Sequence, residues 1–545
     1  MKKDVWVVVS VVIFLCYLLF LLYPLVMLLS KSVMNKEGLF SLENFERIFS
    51  KKYYLRAMGN SFKVTAAVTL FSVLIATPLA YIMSMFKIRG HRVLEILILV
   101  SSMSAPFIGA YSWIMLFGRN GTFTNIIYDL IGLKLPDIYG FSGIVIVMSL
   151  QLYSLVYMFV SGAFKNMDNS LMEASESMNC TKIKKFFKVV LPLIMPTLLA
   201  GALMVFMRTF ADYGTPRLIG EGYNTLPVLV YNEFMGEVGS NDGLAAAISI
   251  VAVVITTAVF LFQKLVVNKK QFSMNALNPI EPKKIKGVGN VFAHLYCYII
   301  VAIAMMPQCY VVYSSFRKTS GKLFVSGFSL ESYKQAFSTV GKSILNTYVL
   351  GFVAMGFIVL IAVLIAYVVV RRRNALNNSL DVITMFPETV AGSILGIALL
   401  MAFSRKPLLF SGTAFIMILS YVIRRLPYTV RSSSAILHQI SPSIEEASIS
   451  LGASDLKTFF KVTVPMMMPG VISGAILSWI MIITELSTSI ILYTTNTKTM
   501  TLEIYSQIIR GNDGIASAIS SLLTFSTIIA LAIFFKVSGK KEITL

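Results

Sequence analysis

The stretch EASESMNCTKIKKFFKVVLP, from Glu173 to Pro192, returns later in the chain as EASISLGASDLKTFFKVTVP, from Glu446 to Pro465. Both the glutamate and the proline are displaced by 273 residues (446 − 173 and 465 − 192). Further residues of the first copy that are identical in the second include Ala174, Ser175, Lys184, Phe186, Phe187, Lys188 and Val189. A repeat of this kind indicates a chain built from two related halves.

Each copy predicts a helix that stops and is followed by a second, amphipathic helix. We expect Ser170 and Ser443 to cap the first helix, with Glu173 and Glu446 at the third helical position of a capping box. The paired phenylalanines give the second helix an apolar side, while its lysines stay at the membrane edge. Such a short helical knuckle suits docking in a groove on a cytoplasmic partner.

In each copy, equivalent residues are expected to end the first helix and to begin the next membrane span. Gly452 suits a left-handed stop after the first helix, and Asn179 takes its place in the first copy as the usual non-glycine residue there. Pro192 and Pro465 are expected near the start of the next span, where a missing N–H is tolerated.

The composition around these motifs is that of a membrane protein. Hydrophobic residues make up 56% of the chain and charged residues 13%, against about a quarter charged in soluble domains. Apolar runs long enough to cross the bilayer predict twelve spans, near 5–29, 59–83, 93–117, 141–163, 189–213, 244–266, 291–314, 346–370, 379–403, 409–430, 464–488 and 516–536. The four cysteines have no metal-ligand spacing, so neither a disulfide framework nor a metal site is predicted.

The net charge of +21 is a topological signal. Lysines and arginines lie mostly in short runs between apolar segments, as the positive-inside rule requires, and no basic domain with interleaved aromatic residues suggests nucleic-acid binding. With both termini in the cytoplasm, the loops at 84–92, 164–188, 267–290, 371–378 and 431–463 are cytoplasmic. The first apolar run is read as a retained helix, not a cleaved signal peptide.

The repeat extends to whole six-span halves. Asn60 begins a stretch similar to the one at Asn346, and SNDGLAAAIS around Asp242 is similar to GNDGIASAIS around Asp513. An even number of spans per repeat gives both halves the same orientation. The predicted organisation is a first helix and outer loop (1–56), a transmembrane unit (57–266), a cytoplasmic linker (267–290), a seventh helix and outer loop (291–341), a second transmembrane unit (342–536) and a tail (537–545).

The two copies of the repeated motif resemble a sequence motif of a known family. The repeated motif is similar to the EAA loop of permease subunits in binding-protein-dependent ABC importers. The resemblance implies an all-α polytopic membrane protein of about twelve transmembrane helices in two six-helix repeats of parallel orientation, the type I importer fold, in a bacterial cytoplasmic (inner) membrane. In that family the EAA loop sits in a cleft of the ATP-binding subunit.

That coupling role is carried over to matching positions only. They are Glu173, Ala174, Ser175, Asn179 and Pro192 in the first copy, and Glu446, Ala447, Ser448, Gly452 and Pro465 in the second. The sequence departs from the family pattern by having serine for the third alanine in both copies, Asn179 for glycine, and Val464 for leucine.

No phosphate-binding GxxxxGK[ST] motif occurs in the sequence. We therefore expect ATP and magnesium to be bound by a separate ATP-binding cassette subunit, in two copies, one for each EAA loop. The chain itself is predicted to have no catalytic residues, and an extracytoplasmic solute-binding protein is the second implied partner. Outer loops 31–56 and 315–345 are expected to form part of its docking surface.

Two carboxylates in apolar segments are candidates for the translocation pathway, because charges are rare at membrane depth. Asp212 and Glu485 occupy matching repeat positions, 273 residues apart (485 − 212). Two alternatives stay open: Asp212 pairs with Arg208 one turn earlier, and Glu485 caps a broken helix.

The cargo is indicated only by resemblance. The stretch from Met207 to Phe234 is similar to the corresponding segment of ferric-iron-type permeases, a group that also includes transporters for thiamine, 2-aminoethylphosphonate and other small solutes. A different class, an ion-coupled secondary transporter with twelve spans, would leave the paired EAA loops unexplained. A polytopic membrane enzyme would need a convergent catalytic set that the sequence lacks.

Overall fold

The computed structural model describes residues 5–35, 37–103, 105–236, 241–269, 278, 280 and 282–538. In these residues the chain is mostly helical, as the apolar composition predicts, because a segment in lipid must satisfy its backbone groups internally. The linker expected at 267–290 and the tail at 537–545 lie partly outside the described residues.

Within the described residues, nine continuous helical segments are long and apolar enough to cross a membrane. They are Val5–Ser32, Lys52–Met85, Phe141–Lys165, Phe186–Phe210, Asp242–Phe262, Val288–Ser315, Glu331–Arg371, Asp455–Ile483 and Asp513–Val537. Each lies at a position where the sequence predicts a span. Lys52–Met85 and Glu331–Arg371 begin well before their apolar cores, so parts of the expected outer loops are helical extensions of spans.

Two of the predicted spans are broken. His91–Ser102 and Phe107–Ile131 meet at a bend of 97°, and Ala375–Glu388 and Gly392–Ala402 meet at 110°. At the second break a Cβ atom at Gly392 would overlap the Nη1 atom of Arg424 and would lie 2.7 Å from the Cβ atom of Ser487. Glycine is favoured at this position, because a side chain would force Arg424 and Ser487 to shift.

The predicted span near 409–430 is the helix Ala414–Gln439. It carries Arg424, Arg425 and Arg431, and these charges distinguish it from the nine apolar segments. With the two broken spans, this helix accounts for the twelve predicted segments.

Shorter helices connect the spans or continue them. They are Glu43–Ser50, Thr122–Ile131, Asn169–Ser177, Gly214–Ile219, Leu226–Met235, Pro442–Ser450, Ser489–Leu492 and Met500–Ile509. One antiparallel hairpin departs from the all-helical prediction: strand Arg317–Ser320 pairs with Leu323–Phe328, with Arg317 opposite Phe328 and Ser320 opposite Leu323. Gly321, at a φ of +61°, makes the tight turn between them.

The chain divides into two compact units that do not follow the order of the sequence. One contains the described residues within Met1–Arg47, Val230–Ile250 and Ser314–Lys541, and the other those within Ile48–Leu229 and Val251–Tyr313. The first helix of the chain therefore packs with the second half, whereas most of Val288–Ser315 packs with the first half.

The contacts of these two helices are specific. In the first unit, the Trp6 ring lies 4.3 Å from the Tyr367 ring and 4.8 Å from the Phe459 ring, centroid to centroid. In the second unit, the Tyr296 hydroxyl donates to the Ile75 carbonyl at 2.9 Å, and the Gln308 amide donates to the Ser101 carbonyl at 3.1 Å. The helices Val5–Ser32 and Val288–Ser315 are therefore each held by contacts with residues far away in the sequence.

Candidate functional site: the two EAA loops

The first EAA loop (residues 168–190) begins with the helix Asn169–Ser177. Its N-cap is Asp168, whose Oδ1 atom accepts from the Ser170 backbone N–H at 2.9 Å and from the Ser170 hydroxyl at 2.7 Å. The predicted cap at Ser170 is therefore wrong. The Glu173 carboxylate accepts instead from the Asn169 side-chain amide at 2.7 Å.

The second EAA loop (residues 441–463) begins with the helix Pro442–Ser450, and its N-cap is Ser441. Here too the predicted cap, Ser443, is a first-turn residue, and its backbone N–H donates to the Ser441 hydroxyl at 3.4 Å. The physical reason is the same in both copies. An oxygen-bearing side chain two residues upstream satisfies a free N–H of the first turn, so the helix starts earlier than the serine in the motif.

Both helices end in the predicted left-handed residue. Asn179 has a φ of 54° and Gly452 a φ of +89°. In the first loop the Cys180 N–H donates to the Ser175 carbonyl at 3.1 Å, and in the second the Ala453 N–H donates to the Ser448 carbonyl at 3.2 Å. This six-to-one bond is the mark of a Schellman stop, so the predicted backbone role of Asn179 and Gly452 is confirmed.

The chain then re-enters the membrane through a π-helical turn in each copy. Lys182–Lys185 continues into the turn Phe186–Val190, and Asp455–Thr458 continues into Phe459–Thr463. Pro192 and Pro465 follow these turns as the second residues of the α-helices Leu191–Phe210 and Val464–Ile483, so the expectation that they lie near the start of the next helix is confirmed. A proline inside a helix lacks one N–H and crowds the preceding turn, and a π-turn is one of the recognised ways in which a helix accommodates such a break.

The knuckle of each EAA loop, which is its first helix together with the left-handed stop (169–179 and 442–452), is exposed to solvent. Exposed residues of the motif are Glu173, Ala174, Asn179, Glu446, Ala447 and Gly452, whereas Ser175 is buried and Ser448 half-buried. At the end of each helix one apolar side chain projects: Met178 is 80% exposed and Leu451 is 89% exposed. They occupy equivalent positions, 273 residues apart (451 − 178), and both present an uncovered apolar side chain beside a sharp turn.

A buried ion pair holds the second EAA loop. The Arg371 Nε atom lies 2.9 Å from the Glu445 carboxylate, and both side chains are 11% exposed. Arg371 also donates to the Ile440 carbonyl at 2.7 Å, and the Tyr367 hydroxyl lies 3.4 Å from Glu445. The end of the span Glu331–Arg371 is thereby fastened to the knuckle helix.

The first EAA loop is held differently. The backbone N–H of Asn169 donates to the carbonyl of Asn278 in the linker at 2.8 Å. The linker is itself pinned, since the Lys283 N–H donates to the Met85 carbonyl at 2.9 Å and its carbonyl accepts from the Lys87 N–H at 3.0 Å. These bonds brace the start of the first knuckle helix with the segment that joins the two halves.

A surface ion pair adds to the first loop. The Lys185 ammonium lies 2.6 Å from the Glu176 carboxylate. This hydrogen bond and the charges of Lys185 and Lys283 lower the pKa of Glu176 below its usual value. Because the carboxylate is solvent-exposed, the pair contributes little to stability.

The two halves differ at the positions that form this ion pair, and this explains why the two loops are anchored differently. Position 172 of the first half corresponds to Glu445 and position 85 to Arg371, at the offsets of 273 and 286 residues found in the sequence. Those positions hold Met172 and Met85, and Met172 is 4% exposed. One half therefore places two apolar side chains where the other half places an ion pair.

Glu485 is buried among cations. It is 4% exposed, its Oε1 atom lies 2.8 Å from Arg424 Nη1, and its Oε2 atom is in contact with Arg425 Nη2. The Thr488 backbone N–H donates to Glu485 at 3.1 Å at the start of the short helix Ser489–Leu492. This geometry agrees with the alternative in which Glu485 caps a broken helix, and its place in the pathway stays a prediction.

Asp212 is half-buried at a comparable break in the other unit. It follows the helix Leu191–Phe210, and its Oδ2 atom accepts from the Thr215 backbone N–H at 3.0 Å. It therefore stabilises the start of the helix Gly214–Ile219. A pathway role for Asp212 likewise stays a prediction.

Sequence reasoning missed the cationic partners of Glu485, which are Arg424 and Arg425. Arg424 and Arg425 stand in an otherwise apolar span, and charged residues at membrane depth are rare, so the pair carried a readable signal. Arg371 and Glu445 gave a weaker signal, because each lies at the end of a segment where charges are common.

Comparison with known proteins identifies the family to which the chain belongs. The family described as "Binding-protein-dependent transport system inner membrane component" matches residues 65–271 and 334–540. The chain is 26% identical to the ferric transport system permease protein FbpB of Actinobacillus pleuropneumoniae, over 98% of this chain and 78% of the relative. It is 25% identical to the putative ferric transport system permease protein FbpB 1 of Haemophilus influenzae, over 91% and 80%.

A solved structure is also similar to part of the chain. It is a bacterial ABC transporter involved in the import of the acidic polysaccharide alginate, and it aligns with 47% of this chain and 93% of its own at 18% identity, with a TM-score of 0.39. The family match covers most of the chain and falls once on each half, where each EAA loop lies. The chain is therefore a multi-pass membrane permease of the binding-protein-dependent transport family, with two fused transmembrane units.

Proposed function

We propose that this chain is the permease of an ATP-driven importer of ferric iron, and that its two EAA loops couple it to two separate ATP-binding cassette subunits. The observation that carries the coupling role is the pair of matching knuckles, each with an open helix, a left-handed stop and a projecting apolar side chain. One knuckle in each half suits one ATPase subunit for each half.

Each EAA loop is connected rigidly enough to a membrane span to pass on a movement of the ATPase subunit. Each knuckle helix is fixed at its start, by the linker in one half and by Arg371 in the other, and each runs through a π-turn into a membrane span. A push on the knuckle therefore reaches the span without being absorbed by a loose loop. Closure of the ATPases would tilt the two halves between outward-facing and inward-facing states, which is alternating access.

The remaining partners follow from this role. ATP and magnesium belong to the ATPase subunits, and a solute-binding protein delivers the cargo on the opposite side of the membrane. The termini and the EAA loops lie on the cytoplasmic side.

Ferric iron is supported by two relatives that match nearly the whole chain and are named as ferric transport permeases. A relative of similar coverage from Sinorhizobium fredii is named only as a probable ABC transporter permease. The putative 2-aminoethylphosphonate transport system permease protein PhnV of Salmonella paratyphi A is 26% identical, but the match covers only 43% of this chain. Thiamine, 2-aminoethylphosphonate and other small solutes remain the alternatives within the same importer class.

Coupling is tested in proteoliposomes that contain the chain, its ATPase and its solute-binding protein. We expect Gly452→Glu to lower uptake per ATP hydrolysed, because a charged side chain replaces hydrogen at the left-handed tip. Gly412→Glu is a matched control, since Gly412 also has a left-handed φ, +81°, but lies in the turn before the span Ala414–Gln439, away from the knuckle. Equal uptake per ATP in both variants would contradict the coupling role.

Cargo is tested separately with the solute-binding protein of the same system. We expect uptake of radioactive ferric iron that requires this protein and ATP. Unlabelled 2-aminoethylphosphonate or thiamine should not compete. ATP-dependent uptake of one of these solutes in place of iron would overturn the cargo assignment and leave the coupling role standing.

A further inference from the structure

The helix Thr122–Ile131 is the last part of the first broken span, separated by a short turn from the helix Pro106–Phe117. It has one apolar side that the described residues leave uncovered. Its apolar residues are Phe123, Ile126, Ile127, Leu130 and Ile131. At 100° per residue they occupy an arc of roughly 140°. No residue of this helix is buried, and Leu130 and Ile131 are 77% and 75% exposed.

The other side of the helix is polar and faces a groove. Thr124, Asn125 and Tyr128 line an open cavity of about 360 Å³ together with Arg119 and Asp137. The two sides of the helix therefore meet different surroundings, with polar groups toward the groove and the apolar arc turned away from it.

A contact with a membrane span fixes the depth of this helix. The Thr122 hydroxyl lies 2.5 Å from the Tyr310 hydroxyl, and Tyr310 is five residues before the end of the 28-residue helix Val288–Ser315. That helix is about 42 Å long at 1.5 Å per residue, so an upright helix centred on a hydrocarbon layer of about 30 Å extends about 6 Å beyond each boundary. Tyr310, about 7.5 Å from the helix end, thus lies at the boundary between hydrocarbon and headgroups.

Contacts at both ends of the helix Thr122–Ile131 hold it at this boundary between hydrocarbon and headgroups. Phe123 stacks on Phe117, at the end of the preceding helix, with ring centroids 5.5 Å apart. After the helix stops at Gly132, the returning segment is tied by Arg119, which pairs with Asp137 at 3.0 Å and with Glu221 at 2.6 Å. The helix is therefore built to stay at the membrane boundary.

We propose that the helix Thr122–Ile131 lies in the headgroup region of the leaflet opposite the EAA loops, with its apolar arc inserted among the acyl chains. A helix with one apolar and one polar side at this depth fits a lipid interface. The arc carries no charged residue that would complement a soluble partner. Leu133, 57% exposed, continues the apolar surface, and exposed Lys134 follows it at a position suited to lipid phosphates.

The test introduces a tryptophan on either side of the helix in the full chain, reconstituted in vesicles of phosphatidylcholine brominated in the upper acyl chain. The three natural tryptophans stay, and the signal of the unchanged chain is subtracted. We expect the added tryptophan of Leu130→Trp to be quenched by the brominated lipid about twofold or more beyond that of Asp129→Trp, because only the former side chain points into the apolar layer.

Acrylamide in the water should give the reverse order. Ile126→Trp provides a second reading on the same arc if the first variant assembles poorly. Equal access of acrylamide to positions 129 and 130, without quenching by the brominated lipid, would overturn the proposal and leave the arc open to a soluble partner such as the solute-binding protein.

Discussion

The chain contains its own control for the ion pair that anchors the second EAA loop. Replacing Glu445 by methionine, the residue at the equivalent position of the first half, leaves the Arg371 guanidinium buried without its carboxylate. Arg371 keeps its bond to the Ile440 carbonyl, so the variant removes the charge partner and one hydrogen-bond acceptor. Replacing both residues by methionine reproduces the composition of the first half at these two positions.

The magnitudes of the two changes should differ strongly. Removing one partner of a buried pair costs about 3–5 kcal/mol, whereas replacing both by well-packed apolar residues is often neutral or stabilising. Because each side chain retains 11% exposure, we place Glu445→Met at the lower end, about 3 kcal/mol. That corresponds to roughly a hundredfold rise in the open population of the knuckle helix, at about 1.4 kcal/mol per factor of ten. The double variant should stay within about 1 kcal/mol of the natural chain.

Hydrogen exchange of the backbone amides in Pro442–Ser450 measures this population directly. Glu445→Met should exchange about a hundredfold faster in this helix, while Arg371→Met with Glu445→Met should exchange at nearly the natural rate. Transport per ATP should follow the same order, because a detached knuckle cannot move its span. Natural exchange rates in the single variant would refute the anchoring role, and a double variant as open as the single would show that the charge pair itself is required.

Further predictions concern the stops, the buried cluster and the linker. Gly452→Val should destabilise the second knuckle by about 1–2 kcal/mol because its backbone is left-handed, whereas Asn179→Gly should leave exchange in the first knuckle nearly unchanged; similar effects of the two would contradict this account. Glu485→Gln should lower the thermal unfolding midpoint in detergent, with a loss of about 3 kcal/mol or more from its two uncompensated arginine partners, and an unchanged midpoint would argue that the cluster is not structural. Lys283→Pro removes an N–H that pins the linker and should speed exchange in the first knuckle helix only, with Lys284→Pro as control; no difference between them would show that the linker is not a brace.

Much of the architecture could be predicted from local patterns. Apolar runs of about 20 residues indicate spans because the bilayer has a fixed thickness, and all twelve predicted segments are helical or broken-helical. The left-handed stops at Asn179 and Gly452 were predictable because they depend on the intrinsic backbone preferences of those residues. Ser170 and Ser443 were misassigned as caps because several nearby polar side chains could start the same helix.

The sequence by itself determined the membrane class, the repeat, the two knuckles and the family, since these depend on composition and on residues within a few turns of one another. Only the tertiary structure decided that the first helix packs with the second half, that Arg424 and Arg425 surround Glu485, and that Arg371 holds one loop while the linker braces the other. These contacts join residues far apart in the chain, and an apolar helix looks much the same in sequence whether it faces lipid or protein. The choice of partner is therefore made by shape and charge in three dimensions.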